Sequence, residues 1–532
     1  MDQSSKVAAV VARVRGLVHE GTLGTDDPLP STRALAAELG VARGTVVAAY
    51  EQLDGEGYIR TRHGAAARVV GGAAGRRTEV VGAGGRGRAG GIGAGPVPGA
   101  GSEAGVGRAS RLGPTPTSAP VPVPDGRPVL DCRPGIPDVT AISPRDWRAA
   151  WRAAADAPLR NGLSDPLGLP ALREQVVAQL GLARGFTPGV SDVVVAAGTS
   201  EALSLLVEAL RARLGRPPRI AVEDPGYRSG HRALMSAGAE LVAVPVGPDG
   251  IDLAVLAGTS ADAVVVSPTH QYPLGSVMPV GQRRALLARA ASVGMVVVED
   301  DYDSEFRHRG TPVPALAALD TDGVVVHLGG FSKTLDPRLR CAYLVLPRET
   351  GPLHAAVVAA RTARGAVVAE PVQVAVAHLL RTGAFRRHLG RVRRDYTHRR
   401  EQIARRLADS GVAGLEARAL TGGLHAVLTW PGPEVGAAVP TGAEVVARVA
   451  AAGVLVADLA DYEVERGRSG PGVVLGYGAV TLPELDRALD VVLAAIRELA
   501  AATLVDPRAT ILRAAVPGAS VPGPANSGPV VP

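Results

Sequence analysis

The chain has 532 residues, 46% hydrophobic and 20% charged, with a formal net charge of +6; this is the balance of a globular protein of several domains. Two cysteines, Cys132 and Cys341, exclude a disulfide framework and point to a reducing, cytoplasmic setting. No apolar run approaches the roughly 20 residues of a membrane helix, and Met1-Asp2-Gln3-Ser4 does not open a secretory signal, so neither a membrane span nor secretion is expected.

Residues 1–71 read as one small unit. Val7, Val10, Val11, Val14 and Val18 recur at helical spacing. Ser31 and Thr32 offer an N-cap for a helix over Arg33–Leu39, Gly40-Val41 makes a turn, and a second helix runs through Thr45–Leu53. Gly57–Arg62 and Ala67–Val70 then form two short strands around His63-Gly64. Two helices about a tight turn, followed by a hairpin, make a winged helix-turn-helix pattern. In such units the start of the second helix meets base edges, which here places Arg43, Gly44 and Thr45 against DNA. Arg33 is expected on backbone phosphate, with Arg60, Arg62 and His63 on the wing. Val41, Val46, Val47, Tyr50 and Leu53 are expected in the core. The same spacing also fits a helical interaction module with solvated arginines.

Residues 72–127 are Gly, Ala, Pro, Arg and Ser almost without large apolar side chains. Such a segment buries too little surface to offset its ordering entropy, so a flexible linker is expected, as is a disordered tail over 504–532.

From 128 to 503, Val-rich runs at 193–195, 220–222, 264–266, 296–298 and 324–326 alternate with helical stretches near 201–214, 230–237 and 282–291. That alternation predicts a mainly parallel sheet with helices on both faces. From about 380 a smaller α+β subdomain follows.

Chemistry-bearing residues fall at the ends of these strands. Val193–Ala197 passes through Gly198-Thr199-Ser200 into a helix N-terminus, which suits phosphate but is also a common structural turn. Glu299, Asp300 and Asp301 close a buried strand, where a carboxylate can hold a protonated ring nitrogen; metal binding is the rival reading. The chain has only two lysines, Lys6 and Lys333, among 57 basic residues. Arginine cannot serve as a Schiff-base amine, so Lys333, just after the 324–326 strand, stands out. A lysine, a strand-end acid and a phosphate cradle are the three groups that pyridoxal phosphate needs.

Leu29–Ala36, Gly40–Val46, Tyr50–Leu53 and Glu56–Ile59 resemble the GntR-type winged helix. Asp131–Asp138, Ser164–Arg173, Glu223–Tyr227, Ser267–Gly275, Glu299–Phe306 and Phe331–Leu335 resemble fold-type I pyridoxal-phosphate enzymes of the aminotransferase class. The two together resemble the MocR/GabR subfamily of GntR regulators. That resemblance implies an α/β protein with an N-terminal winged helix, a linker, an aminotransferase-like domain and a small C-terminal subdomain. It implies Lys333 as the amine that bonds the cofactor aldehyde, Asp300 on the pyridine nitrogen, Tyr302 on the ring hydroxyl and Tyr227 stacked on the ring. Gly198, Thr199, Ser200, Ser332 and Arg340 would hold phosphate. His270 and Gln271 border the site, His270 being equally readable as a structural histidine. Arg466 and Arg468 are candidates for a substrate carboxylate, although a solvated loop fits them as well.

The expected function is a cytoplasmic, homodimeric transcriptional regulator bound to a double-stranded DNA operator. It would sense pyridoxal phosphate, or an amino compound through its external aldimine. A working aminotransferase is the alternative.

Overall fold

A computed structural model describes residues 27–55, 59–60, 66–69 and scattered positions from 6 to 23, together with 129–505 other than 160, 307–313, 348–350, 432–438 and 466. The expected linker over 72–127, the tail beyond 505, Arg62, His63 and Arg466, and the side chain of Arg60, lie outside the described residues.

The N-terminal unit is built as its capping residues dictate. The Ser31 hydroxyl accepts from the Ala34 amide and opens helix Thr32–Leu39, which Gly40 closes at φ +62; only a residue without a Cβ enters that left-handed conformation freely. The next helix, Arg43–Gly55, packs against it. Strands β1 (Ile59–Arg60) and β2 (Arg68–Val69) pair antiparallel, Ile59 opposite Val69. Val10, Val11, Val14, Leu35, Val46, Leu53 and Ile59 fill the core, and the buried Tyr50 satisfies its hydroxyl on the Pro30 carbonyl at 2.7 Å. Val41 and Val47, expected inside, are only half-buried because they sit on the rim of that small core.

The large domain begins with β3 (Leu130–Asp131). Its main sheet comprises β4 (Val193–Ala196), β5 (Arg219–Asp224), β6 (Glu240–Gly247), β7 (Gly250–Ile251), β8 (Ala263–Val266), β9 (Val296–Asp301), β10 (Val325–Gly330) and β11 (Ala342–Val345). The order is β4-β11-β10-β9-β8-β5-β6-β7. The run from β10 to β6 is parallel, whereas β11 is antiparallel to both β10 and β4, and β7 is antiparallel to β6. Successive valines serve opposite faces, as a two-residue period requires. Val194, Val222, Val298 and Val326 pack with helices Thr199–Leu214 and Pro352–Arg364 on one side. Val264, Val266, Val297 and Val325 pack with helix Val280–Val293 on the other. Being buried on both sides explains the unbroken Val runs.

The small subdomain holds β12 (Glu416–Arg418), β13 (His425–Thr429), β14 (Val454–Leu455), β15 (Ala457–Asp458) and β16 (Gly472–Gly476). Its antiparallel sheet has the order β12-β13-β16-β15. The sequence reading missed that β3 pairs in parallel with β14, so the first residues of the large domain belong structurally with its last third. Two-residue strands carry no periodicity from which to read this. The final helix, Leu482–Val505, runs past the expected boundary at 503. Both cysteines are buried and free, and among the described residues no helix is long and apolar enough to cross a membrane.

Candidate functional site

In a parallel sheet the segments leaving the C-terminal strand ends gather along one edge. Here those segments are Ala197–Ser200 after β4, Pro225–Tyr227 after β5, Ser267–Tyr272 after β8, Tyr302–Asp303 after β9 and Phe331–Lys333 after β10. Between them and the small subdomain lies a cavity of about 470 Å³ lined by Thr199, Ser200, Tyr227, Asp300, Tyr302, Ser332, Lys333 and Arg340. Eight of the residues expected to hold a cofactor thus meet in one space.

The Lys333 amine donates to the Gly135 carbonyl at 2.7 Å. Burial lowers its pKa, against the opposing pull of Asp300 and Asp303. Asp300 is 6% exposed. Burial, then repulsion from Asp301 and Asp303, raises its carboxyl to about 7. Arg340, at φ +46, donates to the Ala197 carbonyl at 3.0 Å. A Cβ on Gly198, itself at φ +92, would come within 2.9 Å of that guanidinium. Gly198 is therefore not a lining residue; it leaves the space that lets arginine close over the Thr199–Leu214 helix N-terminus. Four of the chain's nine tyrosines line the cavity: Tyr227, Tyr272, Tyr302 and Tyr462. Tyr272 sits at their centre, edge-on to Tyr227 (6.2 Å), Tyr302 (5.5 Å) and Tyr462 (5.4 Å). In a chain with 3% aromatics, that concentration suits a flat ring ligand.

His270 does not line this cavity. It stands behind Tyr302, its Nδ1 3.0 Å from the tyrosine hydroxyl and 2.7 Å from Asp303, and its ring lies 5.5 Å from that of the lining His425, so it reaches a ring ligand only through such neighbours. Gln271 braces two loops, donating to the Pro225 carbonyl at 2.9 Å and to Glu223 at 3.3 Å. The acids beside Asp300 face the other side of the sheet and have partners there. Asp301 receives a bidentate Arg184 at 2.6 and 3.0 Å. Glu299 pairs with His327 at 2.9 Å, which with Arg184 holds its carboxyl down at about 2.

Sequence reasoning missed Gly135, Tyr272, Arg228, Arg232, His425 and Asp461 as lining residues. Arg228 and Arg232 are one helical turn apart just after β5, a spacing that puts both on one face; Arg228 pairs with Asp461 at 3.1 Å. Arg468 is outside the cavity and pairs with Glu465 and, at 3.8 Å, with Asp224.

In the winged helix Arg33, Arg43 and Gly44 are exposed, and the Arg43 Nε donates to the Thr32 hydroxyl at 3.4 Å. Thr45 corrects the sequence reading. It is 2% exposed, because it already faces inward in the first turn of its helix, so its hydroxyl does not reach a base.

Residues 6–69 match the family of bacterial regulatory proteins of gntR type, and residues 136–434 match aminotransferase class I and II. The chain is 34% identical to the HTH-type pyridoxine biosynthesis transcriptional regulator PdxR of Corynebacterium glutamicum, over 88% of this chain and 90% of that one. It is 32% identical to the probable rhizopine catabolism regulatory protein MocR of Rhizobium meliloti, over 75% and 77% of the two chains. The chain belongs to the MocR/GabR-type GntR regulators. As in its relatives, a helix-turn-helix domain is joined to an aminotransferase-like domain, and the chain is a transcriptional regulator. The fold of the larger part is that of an archaeal alanine:glyoxylate aminotransferase (TM-score 0.63, 20% identity, 70% of this chain and 92% of that one). It is equally that of LysN, an α-aminoadipate aminotransferase of Thermus thermophilus solved with N-(5'-phosphopyridoxyl)-L-leucine (TM-score 0.60, 22% identity, 70% and 92%). The MocR-type regulators thus carry an enzyme fold whose cavity, in this chain, keeps a buried acid, an amine and an arginine-closed helix N-terminus, the set that fits pyridoxal phosphate.

Proposed function

We propose that this MocR-type regulator binds pyridoxal phosphate in the cavity and adjusts its hold on operator DNA to the cofactor's state, in control of vitamin B6 synthesis. The observation that carries this reading is the convergence of Lys333, Asp300, Tyr302, Tyr227 and Arg340 on one cavity, in a chain that also carries a winged helix. Near-full-length similarity to a regulator of pyridoxine biosynthesis supports the target.

Pyridoxal phosphate supplies an aldehyde for a primary amine and an electron-withdrawing ring. Lys333, its pKa lowered by burial, presents the amine. Asp300 would keep a proton on the ring nitrogen, and the pyridinium cation would draw its burial-raised pKa back down. Tyr302, oriented by His270, donates to the ring hydroxyl, and Tyr227 covers a ring face. Arg340, Ser332, Thr199 and Ser200 hold phosphate together with the free amides of the Thr199–Leu214 helix. Residues 1–71 act as the DNA-binding domain, 72–127 as linker and 128–503 as the sensor. The protein works as a cytoplasmic homodimer whose two winged helices, with Arg33, Arg43, Gly44 and the wing arginines Arg60 and Arg62, read repeated half-sites. Cofactor shifts the DNA-binding population only through different affinities in the two states.

The test is a footprint of the full chain on DNA upstream of its own gene and its neighbours, with and without pyridoxal phosphate, at physiological salt. A protected repeat whose occupancy or spacing changes with cofactor is expected. Absence of specific protection in both conditions overturns the reading.

A further inference from the structure

The apolar cluster of the winged helix does not end with its own residues. Val280 of the large domain is 2% exposed within it, and Leu319 packs against it. Leu319 also packs against the cluster beneath the main sheet, so it touches both units. Val280 opens helix Val280–Val293, and Leu319 closes the short turn Leu316–Leu319.

Two buried polar anchors fix these residues relative to the cavity. Arg283, 2% exposed, donates to three carbonyls: Met278 and Pro268 at 2.8 Å, and Pro314 at 2.9 Å. Pro268 begins the loop that carries Tyr272 into the cavity and His270 against Tyr302. Glu299, next to Asp300 on β9, accepts from the Leu316 and Ala317 amides at 2.5 and 3.1 Å. Charge-assisted bonds in a dry interior are short and costly to stretch. A shift of the 267–272 loop or of β9 is therefore passed to Val280 and Leu319.

We propose that the Val280–Leu319 surface is the seat on which the winged helix registers the state of the cavity, and that Arg283 is the positioning residue joining seat to cavity. The inference rests on the cofactor-responsive reading above. Val280→Ser and Leu319→Ser lie outside the cavity and weaken the seat; Arg283→Lys keeps the charge and loses the three-way fork.

In the full chain, cofactor capture is followed by absorbance and borohydride trapping, and operator affinity by fluorescence anisotropy with and without pyridoxal phosphate. In the wild type, cofactor changes affinity by a factor typical of coupled sites, roughly 5–150-fold. Val280→Ser and Leu319→Ser are expected to capture cofactor normally and to bind operator without it, while the cofactor effect collapses toward no change. Arg283→Lys loses the cofactor effect as well, and Val280→Ile keeps it. Capture by the serine variants with an undiminished cofactor effect overturns the seat and leaves the cofactor-responsive reading standing. A wild type without any cofactor effect overturns that reading and the seat with it.

Discussion

The Lys333 amine and the Gly135 carbonyl, 198 residues apart in sequence, are joined by a 2.7 Å hydrogen bond. Gly135 sits at φ +86, and a Cβ there would come within 2.8 Å of the lysine nitrogen. The glycine therefore takes a left-handed conformation that other residues enter only with strain, and its bare Cα leaves room for the flexible end of Lys333. Lys333→Ala is expected to abolish borohydride trapping of pyridoxal phosphate. Gly135→Ala, which leaves the amine in place chemically but displaces it, is expected to reduce trapping severalfold. Peptide mapping of the reduced adduct checks both, and a label on any residue other than Lys333 refutes the assignment.

Asp300 gives the cavity a pH signature. Its carboxyl is raised to about 7, so the cofactor-free folded chain holds a proton there that the unfolded chain has released. Its own contribution to stability falls as pH rises from about 4 to about 7 and levels off above. Asp300→Asn removes this loss. Without cofactor the variant is expected to match the wild type near pH 4 and to melt a few degrees higher at pH 8, while binding pyridoxal phosphate more weakly. Thermal denaturation across pH decides; equal melting at pH 8 contradicts a carboxyl whose pKa burial has raised. Glu223 and Glu305, raised to about 8 and about 7 by burial, act in the same direction, and Asp300→Asn also relieves the repulsion that Asp300 puts on Glu223; His231 and His425, lowered to about 4 by burial, act the opposite way in both proteins.

The winged helix separates positions that sequence alone grouped together. Arg43 and Arg33 are exposed, and Thr45 is buried. Arg43→Ala is expected to cost about 1–3 kcal/mol on operator DNA and to relax base preference, whereas Arg33→Ala weakens all sequences alike and lowers the salt slope by about 1. Thr45→Val leaves base preference unchanged. Binding titrations on operator and scrambled DNA at several salt concentrations check all three.

Much of this was legible in the sequence because the signals were local. Val runs buried on both faces mark strands wherever they occur, Ser31 and Gly40 mark helix ends, and a lysine amid arginines marks an amine. The chain thereby determined its two units, its mainly parallel sheet and most of the groups on one strand edge. What it left open depends on neighbours distant in sequence. Side-chain alternation on β9 sends Asp300 toward the cavity, and its neighbours Glu299 and Asp301 toward His327 and Arg184. Nothing in Glu-Asp-Asp says which partners wait on each face. His270 reads as a lining residue until Tyr302 is seen in front of it. Thr45 reads as a base contact until the first helix turn is packed. β3 finds β14, and Val280 joins the winged helix, through contacts whose energy comes from surfaces that exist only once the chain is folded. Local propensity sets the elements; the tertiary structure, by desolvating some polar groups and leaving others open, decides which of them belong to the site.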